Sequence, residues 1–101
     1  MLLTIAIMSN IKSLFKVMKD IKTKYDEFKQ KYPDAIVIFR RNDWYFLYGS
    51  DAEVASKVLG ITLQQSIGMF PKQAEFPKHA LDIYLPKLVR TGHRIAICDD
   101  V

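Results

Sequence analysis

A chain of 101 residues that is half hydrophobic, with four glycines and four prolines, has the length and composition of one globular domain, which excludes a disordered tail and a repeat architecture. The lone cysteine, Cys98, closes no internal disulfide, and two histidines far apart in sequence supply no Cys/His metal spacing, so a cytoplasmic protein without metal or other cofactor is expected. The net charge of +4 sits wholly near the start: residues 9–32 carry seven lysines against Asp20, Asp26 and Glu27, and eight basic residues meet eight acidic ones from Pro33 onward.

The opening MLLTIAIM lacks a basic leader region and is far too short to span a bilayer. It reads either as an extra strand or, the preferred reading, as residues ahead of a true start at Met8. Ile11, Leu14, Phe15, Met18, Ile21, Tyr25, Phe28 and Tyr32 then recur at steps of three and four, the apolar stripe of an amphipathic helix capped by Ser9 or Asn10. Lys12, Lys16, Lys19 and Lys22 fall largely off the stripe and form a solvated face. Pro33 ends the helix, because a proline disfavours helical backbone in the residue before it.

AIVIF, Ala35 to Phe39, is a β-branched and aromatic run of the kind covered on both faces, and WYFLY, Trp44 to Tyr48, is a second strand joined to it as a hairpin through Arg40–Asp43. Ser50 followed by Glu53 matches a capping box for a short helix with Ala52, Ala55, Val58 and Leu59 on its apolar side and Gly60 at its end. ITLQQ reads as a third strand. Residues 66–76, with Gly68 and Pro71, read as a loop with some extended structure. A helix follows from Pro77, carrying Ala80, Leu81, Tyr84, Leu85, Leu88 and Val89, kinked at Pro86 and ended by Gly92. Arg94 to Cys98 is the last strand. The expected fold is α+β, a single domain with a mixed sheet and helices packed on it.

Two blocks, KYPDAIVIFRRNDWYFLYGSDAEVASKVLGITL and FPKHALDIYLPKLVRTGHRIAIC, together resemble the N-terminal mismatch-recognition domain of the MutS family of DNA mismatch repair proteins. The likeness runs from about residue 23 to Cys98. It divides the chain into an N-terminal extension with the start of the first helix, residues 1–22, and a MutS domain-I-like domain, residues 23–101. The family pattern puts F-Y-E where this chain has Trp44, Tyr45 and Phe46, and the resemblance implies a ring that stacks on a mispaired base beside a glutamate that hydrogen-bonds it. Trp44 keeps a stacking face; Phe46 removes the carboxylate. The family pair M-G becomes Arg41 and Asn42, which adds a cation beside Arg40 and argues against a close backbone approach at Asn42. P-M-A-G becomes Lys72, Gln73, Ala74 and Glu75, with an anion where the family loop nears DNA.

No G-x-x-x-x-G-K-[ST] phosphate-binding loop occurs in these residues, so a stand-alone module without ATPase activity is expected. His79 is read as a structural cap or hydrogen-bond partner, His93 as exposed in a turn and Cys98 as a small buried hydrophobe, and no side chains are arranged for catalysis. The leading expectation is a nucleic-acid-binding module whose partner is DNA, with the mismatched duplex as the family's ligand. Trp44, Arg40, Arg41, Asn42, Phe46 and Gln73 are its candidate contacts. The rival is a module that kept the fold, lost the DNA site and binds another protein. Neither a membrane nor a small-molecule substrate is implied.

Overall fold

The computed structural model of the protein describes residues 16, 19–65, 70 and 72–99. The expected start at Met8, the caps Ser9 and Asn10, the stripe residues Ile11, Leu14, Phe15 and Met18, and Gly68 and Pro71 lie outside them. Among the described residues, no helix is long and apolar enough to cross a membrane.

Helix α1 is continuous over residues 19–31 and stops two residues before Pro33. Strands β1 (Ile36–Arg41) and β2 (Trp44–Tyr48) form the expected hairpin, and α2 (Gly49–Leu59) follows β2 without a linker. The edge strand β3 (Gln64–Gln65), β4 (Lys72–Pro77), a single 3-10 turn (Lys78–Ala80), α3 (Leu81–Val89) and β5 (Ile95–Cys98) complete the chain. The sheet order is β3-β4-β2-β1-β5, antiparallel except where β5 lies parallel to β1. The fold is therefore α+β with a mixed five-stranded sheet, as the sequence predicts.

Helices cover both faces of this sheet. Beneath α1, Ile21 packs with Val37, Phe39, Tyr48, Phe70 and Cys98; beneath α2 and α3, Ile36, Ile38, Tyr45, Leu47, Ala52, Ala55, Phe76 and Leu88 form the second cluster. The unbroken apolar run of β1 follows from this, since Ile36 to Phe39 are all at most 1% exposed and alternate between the two cores.

Four expectations are corrected. Residues 72–77 are a regular strand in the sheet interior rather than part of a loop: Ala74 and Phe76 alternate into the core while Gln73 and Glu75 take the other face. The capping box does not form. Gly49, at φ +60°, makes the strand-to-helix corner, Ser50 lies inside the first turn, no side chain caps α2, and Glu53 pairs with Lys72 instead. The third strand is confined to Gln64 and Gln65, and at the other end of α3 Val89 is exposed rather than part of its apolar face. Pro86 does sit within α3, and Gly60 ends α2 in the left-handed conformation.

One buried carboxylate joins three elements. Asp51, in the first turn of α2 and 3% exposed, accepts the Val37 backbone N–H at 3.1 Å and the Lys29 ammonium of α1 at 2.6 Å. Lys29 Nζ also donates to the Ala35 carbonyl. Removing one partner of such a group leaves buried charge and a backbone donor without compensation. Asp51→Ala is expected to lower the unfolding free energy by roughly 2–4 kcal/mol, read as a lower urea midpoint at unchanged slope.

Candidate nucleic-acid interface

The β1–β2 turn comprises Asn42 and Asp43, because Arg41 pairs directly with Trp44. The connection is tighter than the four-residue reading, and Arg40 and Arg41 belong to β1. Asn42 adopts φ +57°, a conformation that asparagine tolerates better than other residues bearing a Cβ.

This register decides which side chains share a face. Residues paired across antiparallel strands lie on the same side of the sheet, and neighbours along a strand on opposite sides. Arg41, Trp44 and Pro77 are aligned across β1, β2 and β4 on the α1 side, followed by Phe39, Phe46 and Glu75 in the next row on that side. Arg40 belongs with Tyr45 and Phe76 on the opposite face, where its Nε reaches the Asn42 carbonyl at 3.4 Å. The two arginines, adjacent in sequence, therefore flank the hairpin from opposite sides.

Trp44 is 45% exposed at the rim of the sheet. Phe46 is half-buried and packs against the α1-side core, so its ring serves as cover at the base of the site. Gln73 pairs with Tyr48 at the far end of β2, roughly 14 Å from Trp44 at about 3.4 Å per residue, and is not brought to the ring. Glu75 stands across from Phe46 and accepts a hydrogen bond from Gln64 Nε2 at 3.2 Å.

Behind the turn the backbone closes on itself: the Lys78 N–H donates to the Asp43 carbonyl at 2.7 Å. That bond fixes the 3-10 turn against the hairpin and leaves an open cleft of about 420 Å³ lined by Asp43, Trp44, Pro77, Lys78 and His79. His79 is exposed on this cleft, and no side chain caps the 3-10 turn or α3, which corrects its reading as a cap. Lys78 was likewise legible only as a residue of the second sequence block. A lysine and a histidine immediately after a strand-ending proline were the available signal.

Below the rim, Tyr48 is buried in the α1-side cluster and its hydroxyl is pushed up to about 12, chiefly by desolvation; Arg41 draws it down and Glu75 raises it. Cys98 is buried as expected, and burial raises its thiol above the usual range. His93 is exposed, with Nδ1 3.1 Å from the Asp34 carbonyl oxygen.

The sequence matches the family model of MutS domain I over residues 19–101. The chain belongs to the MutS domain I family. A DNA mismatch repair protein MutS from Porphyromonas gingivalis is 53% identical over 81 residues, covering 77% of this chain and 9% of that protein. The MutS protein of Phocaeicola vulgatus is 50% identical over 88 residues, 84% of this chain and 10% of that protein. That of Flavobacterium johnsoniae is 47% identical over 91 residues, 85% of this chain and 10% of that protein. The chain thus spans about a tenth of the length of the curated relatives it matches. Arg41, Asn42 and Trp44 all lie in or directly beside one turn.

The buried phenol gives a pH signature for the α1-side core. Its proton is held to about pH 12 in the folded chain and lost near pH 10 in the unfolded one, so its contribution to stability is full below pH 10 and disappears as pH rises through 12. Tyr48→Phe is expected to lose less stability than the parent between pH 10 and 12, measured by urea unfolding at each pH.

Proposed function

We propose that these residues bind DNA on their own through the hairpin end of the sheet, with Trp44 stacking on or inserting between bases and Arg41 contacting a phosphate. The observation that carries this reading is the placement of Trp44: an exposed indole between a cation on β1 and the Pro77–Lys78 corner of β4. Aromatic faces accept any base and cations hold the backbone, a combination that needs no sequence readout. Arg40 supplies a second cation from the opposite face of the hairpin. A fully buried indole would have favoured the protein-binding alternative; the ring is open to solvent.

The reading includes no catalysis and no nucleotide hydrolysis by these residues. Phe46 offers no acceptor to a base edge, so mismatch recognition by a hydrogen bond from this position is not part of it. Binding comes from phosphate contact and stacking.

The test is a titration of labelled matched duplex at about 50 and about 200 mM salt, for which a dissociation constant of roughly 10⁻⁴–10⁻⁶ M is expected. Arg41→Gln should reduce the slope of log K against log salt by about 0.9. Trp44→Ala should weaken binding roughly tenfold at either salt. Absence of binding at low salt, or binding indifferent to both substitutions, overturns the proposal.

A further inference from the structure

We infer that the outer edge of β5 pairs with β5 of a second copy of this chain, antiparallel about a twofold axis, so that two five-stranded sheets join into one. The inference is independent of the DNA reading. Ile95–Cys98 ends the sheet beside β1, and among the described residues no strand lies on its other side.

The contrast between the two edges of the sheet is the first ground. At one edge β3 is two glutamines long, and so short and polar an edge resists pairing with another chain. At the other, β5 reads Ile-Ala-Ile-Cys, with neither a charge nor a proline to blunt it, and Ile97 is 38% exposed. An open groove of about 300 Å³ runs beside the start of this strand between Phe28 and Tyr32 of α1 and Arg94, Ile95 and Ala96, so α1 does not close over it. The Arg94 carbonyl accepts the Ile36 N–H at 2.7 Å, which turns the backbone groups of residues 94, 96 and 98 toward β1. Those of Ile95 and Ile97 therefore point outward, ready for a further strand.

Charge and symmetry select the occupant. Arg94 precedes the strand and Asp99 follows it, so an antiparallel copy brings each Asp99 to the Arg94 end of the other, twice over. A parallel copy would set like charges side by side. Arg94 is exposed and held only loosely, its Nε 3.9 Å from the Asp34 carboxylate. A twofold axis normal to the sheet keeps both α1 helices on one side, which requires that residues opposed across the join face the same way. The register centred on Ile97 meets that condition: Ile97 faces its own copy through two reciprocal N–H to carbonyl bonds, Ala96 lies opposite Cys98, and Ile95 lies opposite Asp99. The exposed Ile97 side chains then cover each other on the α2–α3 side of the sheet. Growth stops at two chains, because the joined sheet ends at both sides in β3.

The test is sedimentation equilibrium of the 101-residue chain without DNA over a range of concentrations, where a reversible monomer–dimer equilibrium is expected. Ile97→Lys places a charge on the free edge and should weaken association roughly tenfold or more. Arg94→Glu and Asp99→Lys should each weaken it roughly threefold at low salt, and the two together, which exchange the charges, should restore it. A chain that stays monomeric at every concentration overturns the inference. So does a dimer indifferent to Ile97→Lys, which must be built on another surface. Should Ile97→Lys also lower the urea midpoint of the monomer, the charge exchange decides: loss in both single variants with recovery in the double supports pairing through β5, and absence of recovery overturns it.

Discussion

The site depends on the shortness of one turn. Two residues, Asn42 and Asp43, join β1 to β2, and that length dictates that Arg41 faces Trp44. A side-chain period of two then carries the assignment across the sheet, placing Pro77 and Glu75 with Trp44 and sending Arg40 to the other face. One residue more in the turn would exchange the faces of β2 and send Leu47 from the α2–α3 core into the α1 core. Asn42 tolerates the positive φ that so short a turn requires.

The scaffold beneath the turn is anchored away from it. Asp51 connects α1, β1 and α2 by accepting from Lys29 and from the Val37 amide, which holds the layers in place at the end of the sheet remote from the ring. β2 lies between two antiparallel neighbours and runs directly into α2 through Gly49. Aromatic contacts in both cores, Tyr48 with Phe70 on one side and Tyr45 with Phe76 on the other, brace the same strand. The chain thus presents its turn on an apolar framework.

Much of this framework was legible in the residues. The continuous apolar run of β1, the aromatic β2 and the proline- and glycine-bounded α3 each carried a strong local signal, and the two sequence blocks resembled one family's domain. β4 was missed because Lys72–Pro77 has little strand propensity: its alternation rests on Ala74 and Phe76 alone, and its place between β2 and β3 is set by partners distant in sequence. The Ser50–Glu53 pattern misled for a related reason, since a lysine from β4 competes for Glu53. At the site, Arg40 and Arg41 looked like a pair because adjacency in sequence says nothing of opposed faces. Lys78 and His79 meet Trp44 through the pairing of β4 with β2 and a backbone bond between residues 35 positions apart.

The direct passage of β2 into α2 bears on how the ring meets a ligand. A tryptophan on a flexible loop must be ordered on contact, and that loss of freedom subtracts from affinity. Trp44 begins a strand hydrogen-bonded on both sides and continuous with a helix, so its backbone is already ordered. In the proposed complex the conformational adjustment would fall on the DNA, which would meet a surface already fixed.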